Sequence, residues 1–92
     1  MKYRSRSDII ESILLASNKG ATMTRIRYGS CLSHSQLTKY LRFLQERGLL
    51  RFDPTYKHYT LTERGLYALG MFGELNEMLS LEKHRTEQAI FA

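Results

Sequence analysis

The stretch S-H-S-Q-L-T-K-Y-L-R-F-L-Q-E-R-G-L-L, residues 33–50, decides the fold. Leu37, Leu41 and Leu44 recur four and then three residues apart, which is the spacing of one apolar stripe on an α-helix. Ser33 is a favourable residue to cap the start of this helix, and Gly48 is well placed as the first residue beyond its end. The pattern therefore predicts a helix that Ser33 caps and that runs to Arg47.

The face opposite this stripe carries hydrogen-bond donors and cations, with almost no carboxylate. At about 100° per residue it holds Ser35, Gln36, Thr38, Lys39 and Arg42, with Glu46 among them. Lysine and arginine bind the phosphates of duplex DNA, and serine or glutamine can reach base edges in the major groove. The face therefore suits a recognition helix, although an ordinary solvated surface is the alternative interpretation.

Two shorter helices are predicted before this one. Ser7 is the expected N-cap of a helix over residues 7–18, which the run Asn18-Lys19-Gly20 ends. Thr22 is the expected cap of a second helix over residues 23–28, and Gly29-Ser30 breaks it. Two helices joined by a short glycine-containing turn form a helix-turn-helix.

After Gly48 the apolar pattern changes from helical to alternating. Residues 49–53 and 57–61 are predicted to be two strands of a β-hairpin. The turn Asp53-Pro54-Thr55-Tyr56 has aspartate first and proline second, as type I turns favour.

A last helix is predicted from a Thr62 cap to about Ala89, a length of ~40 Å. So small a domain cannot cover all of its apolar side chains, and a second copy of the helix is the simplest cover. The predicted dimer contacts follow an approximate heptad and comprise Met71, Phe72, Leu75, Met78, Leu79 and Glu82. Gly70 and Gly73 interrupt this helix and either allow close helix approach or bend it.

The charge is unevenly distributed along the 92 residues. Residues 1–61 hold 11 basic and 4 acidic residues, a net charge of +7, whereas residues 62–92 hold 3 and 5, a net charge of −2. The whole chain has a net charge of +5 and a pI of about 9.6. A basic balance favours nucleic acid or an anionic membrane as partner.

Several other classes of function find little support. The single Cys31 allows no internal disulfide, and we interpret it as a small apolar residue under the turn. Cys31 and His34 have the spacing of some zinc ligands, but a second pair is missing, so neither a metal nor another cofactor is expected. Oxidation of Cys31 as a redox signal is conceivable but unsupported. His34 stands beside two serines, but nucleophilic catalysis would also need a carboxylate to orient the histidine, and none is nearby in sequence. We therefore expect no enzyme activity.

The membrane is an improbable partner. No apolar run approaches the ~20 residues of a membrane span, and the first residues lack the apolar centre of a signal peptide. The last helix has an acidic-leaning polar face, which anionic lipids would repel. We expect a cytoplasmic protein associated with the chromosome and without an evident small-molecule ligand.

The order helix, helix, helix, hairpin, helix is the winged-helix arrangement. The runs Y-R-S-R-S-D-I-I-E-S-I-L, L-S-H-S-Q-L-T-K-Y-L-R-F-L-Q-E-R-G-L-L and Y-T-L-T-E-R-G resemble the small archaeal winged-helix DNA-binding proteins. Those proteins dimerise through a C-terminal antiparallel coiled coil. The resemblance covers nearly the whole chain and implies duplex DNA binding, as a transcription regulator or a chromosomal protein.

The same arrangement suggests further DNA contacts. The wing would lie over the backbone or the minor groove, so that Lys57, with Tyr56 and His58 beside it, would meet phosphate; an ordinary hairpin turn is the alternative. Arg4 and Arg6 form a short basic arm that either reaches a minor groove or only raises the local cation density. Arg25 and Arg27 on the second helix are candidate phosphate contacts.

Together these features predict a winged helix-turn-helix DNA-binding domain over residues 1–61 and a dimerisation helix over residues 62–92, continuous with it. The predicted function is duplex DNA binding by a homodimer. The alternative is a winged-helix adaptor within a larger transcription-related assembly, since a fold does not determine a function.

Overall fold

The order of helices and strands agrees with the predicted winged-helix arrangement. The computed structural model describes residues 4–79, which form mainly helices and one antiparallel hairpin. The elements are α1 Arg6–Ala16, α2 Met23–Ser30, α3 His34–Glu46, β1 Leu50–Asp53, β2 His58–Leu61 and α4 Glu63–Leu79.

Helix α3 begins and ends where the sequence predicts, to within one residue. At its start, the Gln36 backbone N–H donates to Ser33 Oγ (3.2 Å), and the Ser33 N–H donates back to Gln36 Oε1 (3.1 Å). This reciprocal pair is a capping box. Beyond Arg47, Gly48 adopts φ +74°, the left-handed conformation that glycine enters without steric cost.

The predicted start of α1 is wrong, because Ser5 rather than Ser7 is the N-cap. The Asp8 N–H donates to Ser5 Oγ and the Ser5 N–H donates to Asp8 Oδ2, each at 3.1 Å. Three residues after Ser7 stands Ile10, which cannot return such a bond. A cap that satisfies two backbone donors is preferred over one that satisfies a single donor, so Arg6 belongs to the helix and not to an extended arm.

The end of α2 also differs from the prediction. The helix continues through Gly29 to Ser30, whose hydroxyl donates to the Ile26 carbonyl (2.8 Å). Cys31 then takes the left-handed conformation, with φ +58°. This geometry turns its thiol outward, so the prediction of a buried Cys31 is wrong, and Leu32 is the side chain buried beneath the turn.

The hairpin pairs Leu50 with Leu61 and Asp53 with His58. Each strand is one residue shorter than predicted, since Leu49 precedes β1 and Lys57 belongs to the turn. Pro54 follows Asp53, whose carboxylate accepts the Thr55 N–H (2.9 Å). Lys57 itself adopts φ +54°.

A further strand-like contact was not predicted. Ala21, in the loop before α2, exchanges two backbone hydrogen bonds with Tyr59, at 2.9 and 2.8 Å. This bridge attaches the hairpin to the loop between the first two helices. Strand β2 therefore has β1 on one side and the Ala21 loop on the other, so the wing is held by more than its own turn.

The core is formed where the first three helices and β1 meet. Its buried apolar residues include the three leucines of the α3 stripe, as the spacing predicted, and are Ile13, Leu14, Ala21, Ile26, Leu32, Leu37, Leu41, Leu44 and Leu50. Burying one such side chain contributes about 1.5–3 kcal/mol to stability. The stripe therefore secures α3 and leaves its opposite face to solvent.

The segment Leu61-Thr62-Glu63-Arg64-Gly65 joins the hairpin to α4 through close backbone contacts. Thr62 Oγ1 donates to the Gly48 carbonyl (2.6 Å) and accepts the Gly65 N–H (2.9 Å), which confirms Thr62 as the cap. A Cβ on Gly65 would lie 2.0 Å from the Leu49 carbonyl oxygen. Only glycine lets the first turn of α4 approach the end of α3 this closely.

Helix α4 is a continuous α-helix over Glu63–Leu79, through both Gly70 and Gly73. The Asn76 side chain donates to Glu11 Oε2 (2.9 Å) and so ties it to α1. A Cβ on either glycine would meet nothing within 4 Å. The predicted continuation to Ala89, and Glu82 with it, lies outside the described residues.

Candidate nucleic-acid interface

The solvent face of α3 presents the predicted cations. Lys39, Arg42 and Ser35 are exposed on the side opposite the buried leucines. Because α3 is anchored along its whole length by those leucines, the spacing between these side chains is held by the helix and does not depend on a loop. Glu46 is exposed at the C-terminal end of this face, so the N-terminal two thirds are cationic.

Two other residues predicted for this face have partners within α3. Gln36 uses its side-chain oxygen in the capping box with Ser33. The Thr38 hydroxyl donates to the His34 carbonyl (2.9 Å), and its side chain is half-buried. Gln36 would have to leave the cap before it could pair with a base through that oxygen. Ser35 Oγ also lies 3.5 Å from Ser33 Oγ. Lys39 and Arg42 are therefore the exposed cationic side chains of this face without a hydrogen-bond partner among residues 4–79.

The guanidinium groups of Arg6 and Arg47 both lie over the same aromatic ring. The guanidinium carbon of Arg6 lies 5.2 Å from the Phe43 ring centroid, and that of Arg47 lies 4.7 Å from it. Phe43 is half-buried and follows Lys39 by one helical turn, so both arginines border the cationic face. The sequence analysis included Arg6 only as part of an arm, because its contact with Phe43 joins α1 to α3. It missed Arg47, although Arg47 follows Phe43 by four residues, a spacing at which side chains on one helix meet.

Arg4 is half-buried, and its guanidinium donates to the Ser30 carbonyl at the end of α2. A cation at a helix C-terminus interacts favourably with the partial negative charge there. Arg4 therefore connects the chain before α1 to α2, and the structure does not place it in an extended arm.

The two arginines of α2 are both exposed. Arg25 lies in the first turn, where its backbone N–H donates to the Thr22 cap (3.2 Å). Arg27 lies in the last turn. Arg25 also lines a shallow depression beside Lys19 and Gly20, which adds to the positive charge at the α1–α2 turn.

The wing places its three predicted residues together. Tyr56 and His58 stack with ring centroids 5.6 Å apart, and the exposed Lys57 lies between them in sequence. His58 also packs against Gly20, and its Nδ1 is buried without a hydrogen-bond partner among residues 4–79. Tyr56 and Lys57 are therefore open to a ligand, whereas His58 supports the wing.

Helix α4 carries six of the ten exposed large hydrophobic side chains among residues 4–79. Met71, Leu75, Met78 and Leu79 have exposed fractions of 52%, 50%, 73% and 69%. A shallow apolar groove runs between α4 side chains from Ala68 to Met78, whereas Phe72 is half-buried against the core. An apolar surface of this kind is a candidate site of association. Glu82, the last of the predicted dimer contacts, lies outside the described residues.

Two kinds of site are missing from residues 4–79. No helix in this part of the chain is both long and apolar enough to cross a membrane. In the same part, no three His, Cys, Asp or Glu side chains lie close enough together to hold a metal ion.

Known proteins resemble the chain at the level of the family and the fold. The family model for winged helix-turn-helix proteins matches residues 3–80. Sso10a-2, a DNA-binding protein from Sulfolobus solfataricus, superposes with a TM-score of 0.68 at 23% identity, covering 97% of this chain and 99% of that one. The C30S mutant of ZitR from Lactococcus lactis superposes with a TM-score of 0.57 at 17% identity, covering 98% and 74%. No curated protein matches the chain.

Proposed function

Since the chain belongs to the winged helix-turn-helix family, we propose that it binds double-stranded DNA as a homodimer. In this proposal it acts as a transcription regulator or a chromosomal protein and has no catalytic activity. Helix α3 enters the major groove, the wing contacts the backbone or minor groove, and α4 pairs two subunits.

The cationic face of α3 is the observation that carries the proposal. Lys39 and Arg42 are exposed on a helix whose other side is buried in the core, so they can meet an external anion without any rearrangement. Phosphate contacts supply most of the affinity for DNA, and base contacts supply sequence preference. Since Gln36 and Thr38 are engaged in α3, we expect one subunit to have strong affinity and modest sequence preference.

Two further candidate cations are exposed on other elements. Lys57 at the wing and Arg25 at the start of α2 are exposed, and each would neutralise one phosphate in the proposed complex. A relative also supports the proposal, since Sso10a-2 is described as a DNA-binding protein and superposes over almost its whole length.

The exposed side chains of α4 support the dimer. Met71, Leu75 and Met78 are at least half exposed on one groove of the helix, and apolar groups so placed gain about 25 cal/mol for each Å² that a partner removes from water. A second copy offers the same apolar groove, as a twofold dimer requires. Two DNA-binding faces in one dimer would double the phosphate contacts and set the spacing of two half-sites.

Fluorescence anisotropy with a labelled random duplex, repeated over a series of salt concentrations, tests the proposal. We expect log affinity to fall linearly with log salt, with a slope of about −0.9 for each phosphate contact. The double variant Lys39→Ala/Arg42→Ala should flatten that slope by about two for each subunit that contacts the duplex.

Arg64→Ala is the control, because it removes one positive charge from an exposed position outside the candidate DNA contacts. Its slope of log affinity against log salt should change less than that of Lys39→Ala/Arg42→Ala. If the wild-type protein barely binds duplex at low salt, DNA binding is the wrong function and the adaptor is the better description. If Lys39→Ala/Arg42→Ala has the same slope as Arg64→Ala, the protein binds DNA but α3 is not the contact.

A further inference from the structure

The arrangement of Arg6, Phe43 and Arg47 brings two positive charges together. Their guanidinium carbons lie 5.2 and 4.7 Å from one ring centroid, so they are no more than 9.9 Å apart, the sum of those distances. The nearby carboxylate of Asp8 is turned to the Ser5 N–H in the cap of α1. Both side chains are exposed, so salt screens much of their mutual repulsion, but an anion near either guanidinium is attracted by both charges.

The contact with Phe43 leaves both arginines able to bind such an anion. A guanidinium held over a ring by cation–π attraction still has N–H donors that point away from the ring. Those donors match the geometry of phosphate oxygens and can bind them in pairs. Phe43 restricts both side chains before the ligand arrives, which lowers the entropy lost on binding.

The position of the ring points to DNA backbone as the source of the anion. Phe43 follows Lys39 by one turn and stands about 40° from it around α3, at the border of the cationic face. Arg47 lies about 12 Å along the helix from Lys39, close to the width of the major groove. A recognition helix contacts bases with its N-terminal residues, so the C-terminal end of α3 would lie beside the phosphates that border the groove.

We propose that Arg6 and Arg47, held on the Phe43 ring, form a phosphate-binding clamp that grips the DNA backbone at the edge of the groove that α3 enters. The proposal rests on duplex DNA binding as proposed above. It assigns Arg47 and Phe43 to the binding surface and gives Arg6 a different role from an arm in the minor groove. Arg6 and Arg47 touch the phosphate, and Phe43 is a positioning residue.

The test uses three variants in the same salt series. Arg47→Gln and Arg6→Gln should each flatten the slope of log affinity against log salt by about one for each subunit that contacts the duplex. Arg47→Lys should keep the slope but weaken binding severalfold, because lysine has the charge without the paired planar donors.

A fourth variant separates positioning from charge. Phe43→Leu keeps both arginines and the apolar character of the site, and we expect it to weaken duplex binding about threefold or more. The thermal midpoint of each variant, followed by circular dichroism, identifies any loss of folding. If Phe43→Leu is too unstable to measure, the exposed Arg47→Gln decides the question.

The results distinguish this clamp from the function on which it rests. If Lys39→Ala/Arg42→Ala flattens the slope but Arg47→Gln and Arg6→Gln do not, DNA binding stands and the clamp is wrong. In that case the arginines only shield Phe43 from water, and their substitution should lower the thermal midpoint alone. If duplex binding is unaffected while the arginine variants lose binding of a fluorescent oligoglutamate peptide, the clamp serves an acidic protein and the proposal is also wrong.

Discussion

Helices α3 and α4 both bury one face, but their exposed faces differ in kind. The exposed face of α3 is cationic through Lys39 and Arg42, whereas that of α4 is apolar through Met71, Leu75 and Met78. An interface formed by charges weakens as salt is added, because counterions compete for the phosphates. An interface formed by apolar burial is not screened in this way. Added salt should therefore weaken binding through the α3 face while it leaves association through α4 intact, so a salt series distinguishes the two surfaces.

The largest expected effect concerns the junction that holds these two helices together. Gly65→Ala places a Cβ 2.0 Å from the Leu49 carbonyl oxygen, a backbone atom that no change of rotamer can move. We expect it to lower the free energy of unfolding by about 3 kcal/mol. Chemical denaturation followed by circular dichroism measures the change.

Gly70→Ala is the matched control in the same helix. A Cβ there meets nothing within 4 Å, and alanine is a better helix former than glycine by about 0.8–1 kcal/mol. The free energy of unfolding should therefore rise by up to that amount. Equal changes for the two variants would mean that α4 does not pack against the end of α3 as described.

The next effect tests the apolar surface. Leu75→Glu puts a charge in the groove of α4, where Leu75 is 50% exposed in one chain. Burying an unpaired charge at an interface is costly, so we expect the dissociation constant of the dimer to rise at least tenfold. Sedimentation equilibrium measures this constant.

Leu66→Glu is the control for that variant. Leu66 is 56% exposed on the same helix but does not line the groove, so its substitution should leave the dimer intact. The wild-type dimer should also persist at salt concentrations that abolish duplex binding. A dimer that salt dissociates, or that Leu66→Glu dissociates equally, would remove the contrast between the two helices.

The smallest effect compares stability with binding at the wing. Lys57 adopts φ +54°, a conformation that costs most residues about 1 kcal/mol or more. Lys57→Gly should therefore raise the free energy of unfolding by about 0.5 kcal/mol while it flattens the salt slope of duplex binding by about one for each bound subunit.

Cys31→Gly provides the comparison for Lys57→Gly. Cys31 has nearly the same backbone conformation, φ +58°, but no charge. Its substitution should raise stability by a similar amount and leave the salt slope unchanged. If Lys57→Gly also leaves the slope unchanged, the wing does not contact phosphate.

Local patterns were sufficient to predict α3 and the α4 cap. Ser33, Gly48 and Thr62 act through hydrogen bonds or backbone conformations within a few residues, so their roles are readable from the sequence. The start of α1 was also a local feature, but the sequence analysis assigned the cap to Ser7 and did not consider Ser5. The return bond from Asp8 decides for Ser5, and this signal was present in the sequence.

Contacts between distant residues were not predictable in this way. Neither the bridge from Ala21 to Tyr59 nor the bond from Arg4 to Ser30 follows from any spacing along the chain. The contact of Arg6 with Phe43 likewise joins α1 to α3, whereas the contact of Arg47 with Phe43 is local, since the two residues are four apart. These contacts need the relative placement of whole elements, which the packing of the core determines.

The sequence by itself determined the order of the elements, the buried stripe of α3 and the cationic character of its other face. It could do so because helical periodicity and capping depend on residues within two turns of one another. Only the tertiary structure decided which of the candidate cations are free for a ligand, which one is tied to a helix end and which pair shares a ring. Those outcomes depend on distances between elements, and such distances exist only once the apolar faces have packed together.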